Sequence, residues 1–127
     1  MPGNFSWVLP SQLAGCACPK SLEELKGLIQ EGITTLVTLS PEHPPPADSI
    51  RELPQLKHVI IPVKKAPEIS QLVEFTKVAS QELEAGGKVA VHCRKGVGRT
   101  GTMLASYLMK NQGILADQVR FGLSSFK

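Results

Sequence analysis

Cysteine is scarce in this sequence, net charge is small, and no apolar run is long. There are three cysteines in 127 residues. Cys16 and Cys18 stand two positions apart, and no second Cys/His pair follows at metal-ligand spacing, so they read as strand residues rather than as a metal framework. An odd count of cysteines points to a reducing compartment, where thiols stay free. No stretch approaches the length of a membrane span. The N-terminus lacks the charged segment and long apolar core of a signal peptide, and Pro2 stands where myristoylation needs glycine. No repeat and no low-complexity tail is present. The net charge of +3 suits an anionic ligand without demanding nucleic acid. These absences predict a cytoplasmic protein, small enough to enter the nucleus and without a membrane span. Oligomeric state is not specified.

With 42% apolar residues, the chain can bury a sizeable core, and its length predicts a single domain over residues 1–127. Two apolar runs, 5–9 and 13–18, flank Pro10-Ser11 and read as a hairpin. Ser21 and Glu24 form a capping-box pattern. Leu22, Leu25, Leu28 and Ile29 then share one helical face, and Gly32 ends the helix. Residues 33–39 read as a buried strand. Pro41 to Pro46 forms a stiff loop that excludes helix and inner strand. A strand over 58–63 is followed by a helix from Glu68. That helix is expected to turn Ile69, Leu72, Val73, Thr76, Ala79 and Leu83 inward and to stop at Gly86-Gly87. Residues 88–92 read as a strand. The helix over 100–112 carries Met103, Leu104, Tyr107 and Leu108 on its core face and closes at Gly113. Alternating strands and helices imply an α/β sheet with parallel members and helices on its faces. Ligands bind such sheets at the carboxyl ends of the strands.

The most specific string is Val91-His92-Cys93-Arg94-Lys95-Gly96-Val97-Gly98-Arg99-Thr100-Gly101. A lone cysteine near an arginine is ordinarily a buried thiol beside a surface charge, and a lone Gly-x-Gly is weak. The whole string between a strand and a helix is far more specific. The strand ends at Cys93 and a helix begins near Arg99, so the intervening backbone is expected to form a cup. Its N–H groups would converge on an anion, with the helix N-terminus adding positive charge. Gly96, Gly98 and Gly101 would allow that curvature. The guanidinium of Arg99 can fork onto two phosphoryl oxygens, and Thr100 can donate to the Cys93 sulfur. His92 can orient the loop. Arg94 and Lys95 add positive charge that would favour phosphoinositides or multiply phosphorylated peptides, or would simply be solvated. The string therefore reads as the phosphate-binding loop, residues 93–99, of a cysteine-dependent phosphatase that acts through a thiolate. The backbone cup and guanidinium make a metal ion or other cofactor unnecessary.

This loop resembles that of the protein tyrosine phosphatase superfamily, and its Gly-Arg-Thr-Gly ending is similar to the atypical dual-specificity and lipid-phosphatase branches. Asn4-Phe5-Ser6-Trp7-Val8-Leu9-Pro10, Leu13-Ala14-Gly15, Gly98 through Leu104, and Tyr107-Leu108 extend the similarity to the atypical dual-specificity phosphatases across most of residues 4–119. The resemblance implies the phosphatase-like α/β fold, with a central, mostly parallel twisted sheet flanked by helices. It implies phosphoprotein substrates, a phosphocysteine intermediate on Cys93, and phosphoryl binding by Arg99.

Two departures stand out. The family places an aspartate, its general acid, after an Ile-Pro pair. Here Ile61-Pro62 is followed by Val63, which carries no proton. Glu68 is a weak substitute, expected instead at a helix start. Glu42, His43 and Asp48 lie in or just after the proline-rich loop, and His43 and His58 read as ordinary surface or strand histidines. A weakened first step follows, most severe for alkoxide leaving groups. The second departure is the ending, where residues 117–127 do not resemble the family. It predicts a shortened relative or splice form with exposed apolar surface, partly covered by Phe121, Leu123 and Phe126. The alternatives are a catalytically weak phosphate-binding module and an inactive isoform. Sulfurtransferases and arsenate reductases are remote, because the cysteine stands late in the chain.

Overall fold

The computed structural model describes residues 1–94 and 98–111. Five strands form one sheet. They are β1 (Ser6–Leu9), β2 (Leu13–Cys16), β3 (Thr35–Thr38), β4 (Lys57–Ile60) and β5 (Val89–His92), in the order β1-β2-β5-β3-β4. β1 and β2 form the expected antiparallel hairpin, with a register shift between Trp7 and Leu9. The pairs β2–β5, β5–β3 and β3–β4 are parallel. Cys16 lies in β2, whereas Cys18 falls just past it.

Among the described residues three helices connect strands, α1 (Leu22–Gln30), α2 (Ala47–Arg51) and α3 (Ile69–Glu84), and α4 (Gly98–Asn111) follows β5. Ser21 caps α1 by accepting from the Glu24 N–H at 3.2 Å. The Glu24 carboxylate reaches past the expected partner to the Lys20 N–H, at 2.9 Å. Gly32, with φ of 93°, ends α1 in the left-handed region. α2 is a five-residue helix directly after the prolines, and its shortness leaves almost no periodic signal.

Successive strand residues face opposite sides, so the sheet carries two cores. One side packs under α3 and α4 and includes Val37, Val89, Val91, Phe75, Met103, Leu104, Tyr107 and Leu108. The other packs under α1 and includes Leu36, Ala90, Cys16, Leu25 and Leu28. All four expected core residues of α4 are buried. On α3 the expected stripe holds at Ala79, which is fully buried, and at Leu72 and Leu83, which pack against the core. It is corrected at Ile69, 81% exposed, and Val73, 50% exposed, and Phe75 joins the buried face. The large Phe75 ring sets the helix rotation by stacking edge-on against Tyr107, with ring centroids 5.7 Å apart. Gly87 is required by packing, because a Cβ there would stand 2.6 Å from both Thr34 Oγ1 and Glu82 Oε1. No helix among the described residues is long and apolar enough to cross a membrane. Gly113, Phe121, Leu123 and Phe126 lie outside the described residues.

Candidate active site

The parallel strands all end on one side of the sheet. β5 delivers Cys93 there, β3 leads to Leu39 and the loop with Glu42, and β4 leads to Val63 and Lys64. Backbone hydrogen bonds tie these strand ends together. Leu39 N–H donates to the His92 carbonyl at 2.9 Å, Val63 N–H to the Leu39 carbonyl at 3.0 Å, and Cys18 N–H to the Arg94 carbonyl at 3.2 Å. The start of the loop is thus held from both sides.

At this edge Glu42, Lys64, Lys65, Cys93, Arg94, Gly98 and Arg99 line an open cleft of about 340 Å³. The cleft brings together Cys93, Arg94, Gly98 and Arg99 of the predicted loop. It adds Lys64 and Lys65, whose one signal in the sequence is that they follow directly on Ile61-Pro62-Val63. Lys95, Gly96 and Val97 lie outside the described residues. An added Cβ at Gly98 or Gly101 would meet no atom of the described residues within 4 Å.

Arg99 is anchored. Its Nη1 donates to Glu42 Oε1 at 2.6 Å and to the Val63 carbonyl at 2.9 Å. The arginine side chain is 15% exposed and that of Glu42 52% exposed. The hydrogen bond from Arg99 holds the Glu42 carboxyl below its usual range, so Glu42 stays ionised and is poorly suited to donate a proton. Both anchors use Nη1, and no bond of Nε or Nη2 is seen among the described residues, so that edge of the fork faces no described partner. The Glu42 loop is itself fixed. His43 N–H donates to the Ser40 carbonyl at 2.9 Å, and Cys18 Sγ to the His43 carbonyl at 3.2 Å.

Val63 is 1% exposed and belongs to the same apolar cluster as Cys93. The position after Ile-Pro therefore contributes a backbone carbonyl to Arg99 and a methyl pair to the core. Glu68 caps α3: its N–H donates to Gln71 Oε1 at 2.9 Å, and its carbonyl accepts from Gln71 and Leu72. Glu68 is not among the residues lining the cleft. Asp48 pairs with Arg51 on the surface of α2. Thr100 Oγ1 is buried and has no hydrogen-bond partner among the described residues, so the expected bond to the cysteine is not formed.

His92 lies on the far side of the sheet, fully buried. Its Nδ1 is 3.1 Å from the Cys93 carbonyl and its Nε2 is 2.6 Å from Thr38 Oγ1. Thr38 Oγ1 is also 2.6 Å from His58 Nε2. Burial pushes His92 down to about 4, so its ring is neutral at neutral pH, and burial lowers His58 as well. His58 is thus a partly buried strand histidine of β4, as expected, with one short contact across to β3. Burial also pushes the Cys16 and Cys18 thiols up, which makes both poor nucleophiles.

The sequence model of the family described as PTP-SAK, Swiss Army Knife protein, DSP-PTPase phosphatase domain, matches residues 2–123. Mouse dual specificity protein phosphatase CDC14B is 26% identical over 91% of this chain and 26% of its own length. Tyrosine-protein phosphatase CDC14 of Saccharomyces cerevisiae is 36% identical over 41% of this chain and 9% of its own. The chain thus spans no more than about a quarter of either relative. Among solved structures, human DUSP28 superposes with a TM-score of 0.77 at 22% identity, over 100% of this chain and 83% of that one. The active form of Tk-PTP superposes with a TM-score of 0.75 at 24% identity, over 99% and 84%. The fold is the α/β fold of the protein tyrosine phosphatases, and the chain belongs to the dual-specificity phosphatase domain family of that superfamily.

Proposed function

We propose that the chain hydrolyses phosphomonoesters of tyrosine and of serine or threonine in proteins, in two steps through a phosphocysteine on Cys93. The thiolate attacks phosphorus, the ester oxygen leaves, and water then releases phosphate and regenerates the thiolate. Arg99 holds the equatorial oxygens, and loop residues 94–98 complete the anion site from their backbone N–H groups. The Thr100 hydroxyl, unbonded to the cysteine in the resting structure, turns to the sulfur only as it leaves, and His92 orients the loop. One observation carries this reading: Cys93 and an anchored Arg99 line the same open cleft at the carboxyl end of the central strand.

Val63 supplies no acid, and Glu42 is committed to Arg99. The first step therefore depends on a good leaving group, because a positioned acid is typically worth ~10²–10⁴-fold. Arg94, Lys64 and Lys65 make the cleft rim basic, which supports highly charged substrates, phosphoinositides included. Residues 4–10, 13–15, 98–104 and 107–108 resemble dual specificity protein phosphatase 23, which favours an atypical dual-specificity activity. In this reading the domain acts in the cytoplasm, and also in the nucleus, without a cofactor. A phosphate-binding module of negligible turnover is the second reading, favoured by the buried valine at position 63.

Steady-state release of phosphate from an aryl phosphate and from phosphopeptides separates the two readings. The phosphatase reading expects turnover of the aryl ester that is lost in Cys93→Ser. Binding of phosphopeptides with no turnover of any ester would contradict it.

A further inference from the structure

The contacts of Thr38 fix more than a packing arrangement. A threonine hydroxyl has one proton, so between two histidine nitrogens it donates to one and accepts from the other. The Cys93 carbonyl can only accept, so the His92 nitrogen 3.1 Å away, Nδ1, carries a proton. The ring is neutral, which leaves Nε2 bare. Nε2 must then accept from Thr38 at 2.6 Å, and this uses the only hydroxyl proton. The remaining short contact, 2.6 Å to His58 Nε2, can form only if His58 is the donor.

The geometry points to His58 as a positioning residue for the phosphate-binding loop. It heads a one-way chain, His58 Nε2–H to Thr38 to His92 to the carbonyl of Cys93, that crosses β4, β3 and β5. The inference rests on the phosphatase reading for its consequence but not for its geometry. Register explains why these three residues meet. Thr38 pairs directly with His92, and His58 lies two residues before the Thr38 partner Ile60 on β4, on the same face. Hydrogen bonds in series polarise one another. The chain therefore fixes the His92 tautomer and, through the Cys93 carbonyl, the peptide plane that opens the loop. His58 Nδ1 is left to take a proton or not without breaking the chain.

The test uses the intact protein and needs no substrate for its first part. Nitrogen-15 NMR of the imidazole rings at neutral pH should show His92 protonated at Nδ1 and bare at Nε2, with His58 protonated at Nε2. A His92 protonated at Nε2 would overturn the proposal. The second part compares His58→Leu with His58→Gln, whose side-chain amide keeps a donor. His58→Leu should blur the His92 tautomer signal and slow iodoacetamide alkylation of Cys93 by roughly three- to tenfold, the value of one lost hydrogen bond. His58→Gln should restore both. Alkylation is followed on the Cys93 peptide by mass spectrometry. A purely structural role would lower the melting temperature of both variants and leave His92 and Cys93 as in wild type, which would refute the chain. Should His58→Leu fail to fold, His58→Gln with a scrambled His92 tautomer would refute it equally. An inactive protein with the predicted tautomers would sink the phosphatase reading alone.

Discussion

On the face covered by α3 and α4, the buried cluster is apolar apart from the Cys93 thiol and the Tyr107 phenol. On the opposite face, Thr38, His58 and His92 sit beside Leu36 and Ala90. The pleat explains the split. Cys93 and His92 are consecutive, so β5 sends one to each side. Cys93 belongs to the apolar face, and Arg99 and Glu42 meet it in the open cleft at the strand ends. The groups that hold the loop lie behind the sheet, out of reach of a ligand. The site is thus supported through the sheet as well as around the cleft.

Removing a charge from the cleft should have the largest effect. Arg99→Ala is expected to lower kcat/KM for an aryl phosphate by on the order of 10³-fold, with the fold intact by circular dichroism. Glu42→Gln, which removes only one anchor of that guanidinium, should cost far less in the same assay. Comparable losses in the two variants would show that the anchor, rather than the guanidinium, dominates.

Val63→Asp sharpens the contrast between core and catalyst. It places a carboxyl group in the apolar cluster, where burial raises its pKa and keeps it protonated. Turnover of an alkyl phosphate should rise by about tenfold or more, while an aryl phosphate should change little. Thermal stability should fall, because the buried group costs about 1–3 kcal/mol if it finds no partner. A flat dependence of wild-type turnover on leaving-group pKa would show that another acid is already at work.

The two faces of α3 can be separated by stability alone. Phe75→Ala is expected to cost ~3–5 kcal/mol, and Ile69→Ser to stay within about 0.5 kcal/mol of wild type, both by urea unfolding. The far face adds a pH signature. His92 titrates near 4 when folded and near its ordinary 6.5 when unfolded. Between these values the unfolded chain binds the extra proton, so stability should fall as pH drops from about 6.5 to 4, by roughly 3 kcal/mol. His92→Asn should flatten that slope in urea unfolding followed across this pH range.

Local signals carried most of what the sequence revealed. The strand-loop-helix string placed Cys93 and Arg99, the Ile61-Pro62 pair located Val63, and periodicity found α1 and the core face of α4. What stayed hidden depends on sheet order. Nothing local says that β3 lies between β5 and β4, so the meeting of Thr38, His58 and His92 could not be read. The bond from Arg99 to Glu42 spans 57 positions and depends on how the proline loop folds back. The inward face of α3 was legible at Leu72, Ala79 and Leu83 but not at its edges, because Ile69 and Val73 are as apolar as Leu72 and the fit of Phe75 against Tyr107 is a tertiary contact.

The account turns on a covalent bond between phosphorus and one sulfur. Rapid acid quench during turnover of an aryl phosphate, followed by mass spectrometry of the peptide holding residue 93, should find a phosphoryl group on Cys93 and none on Cys16 or Cys18. Turnover without any label on Cys93, or turnover undiminished in Cys93→Ser, would contradict it.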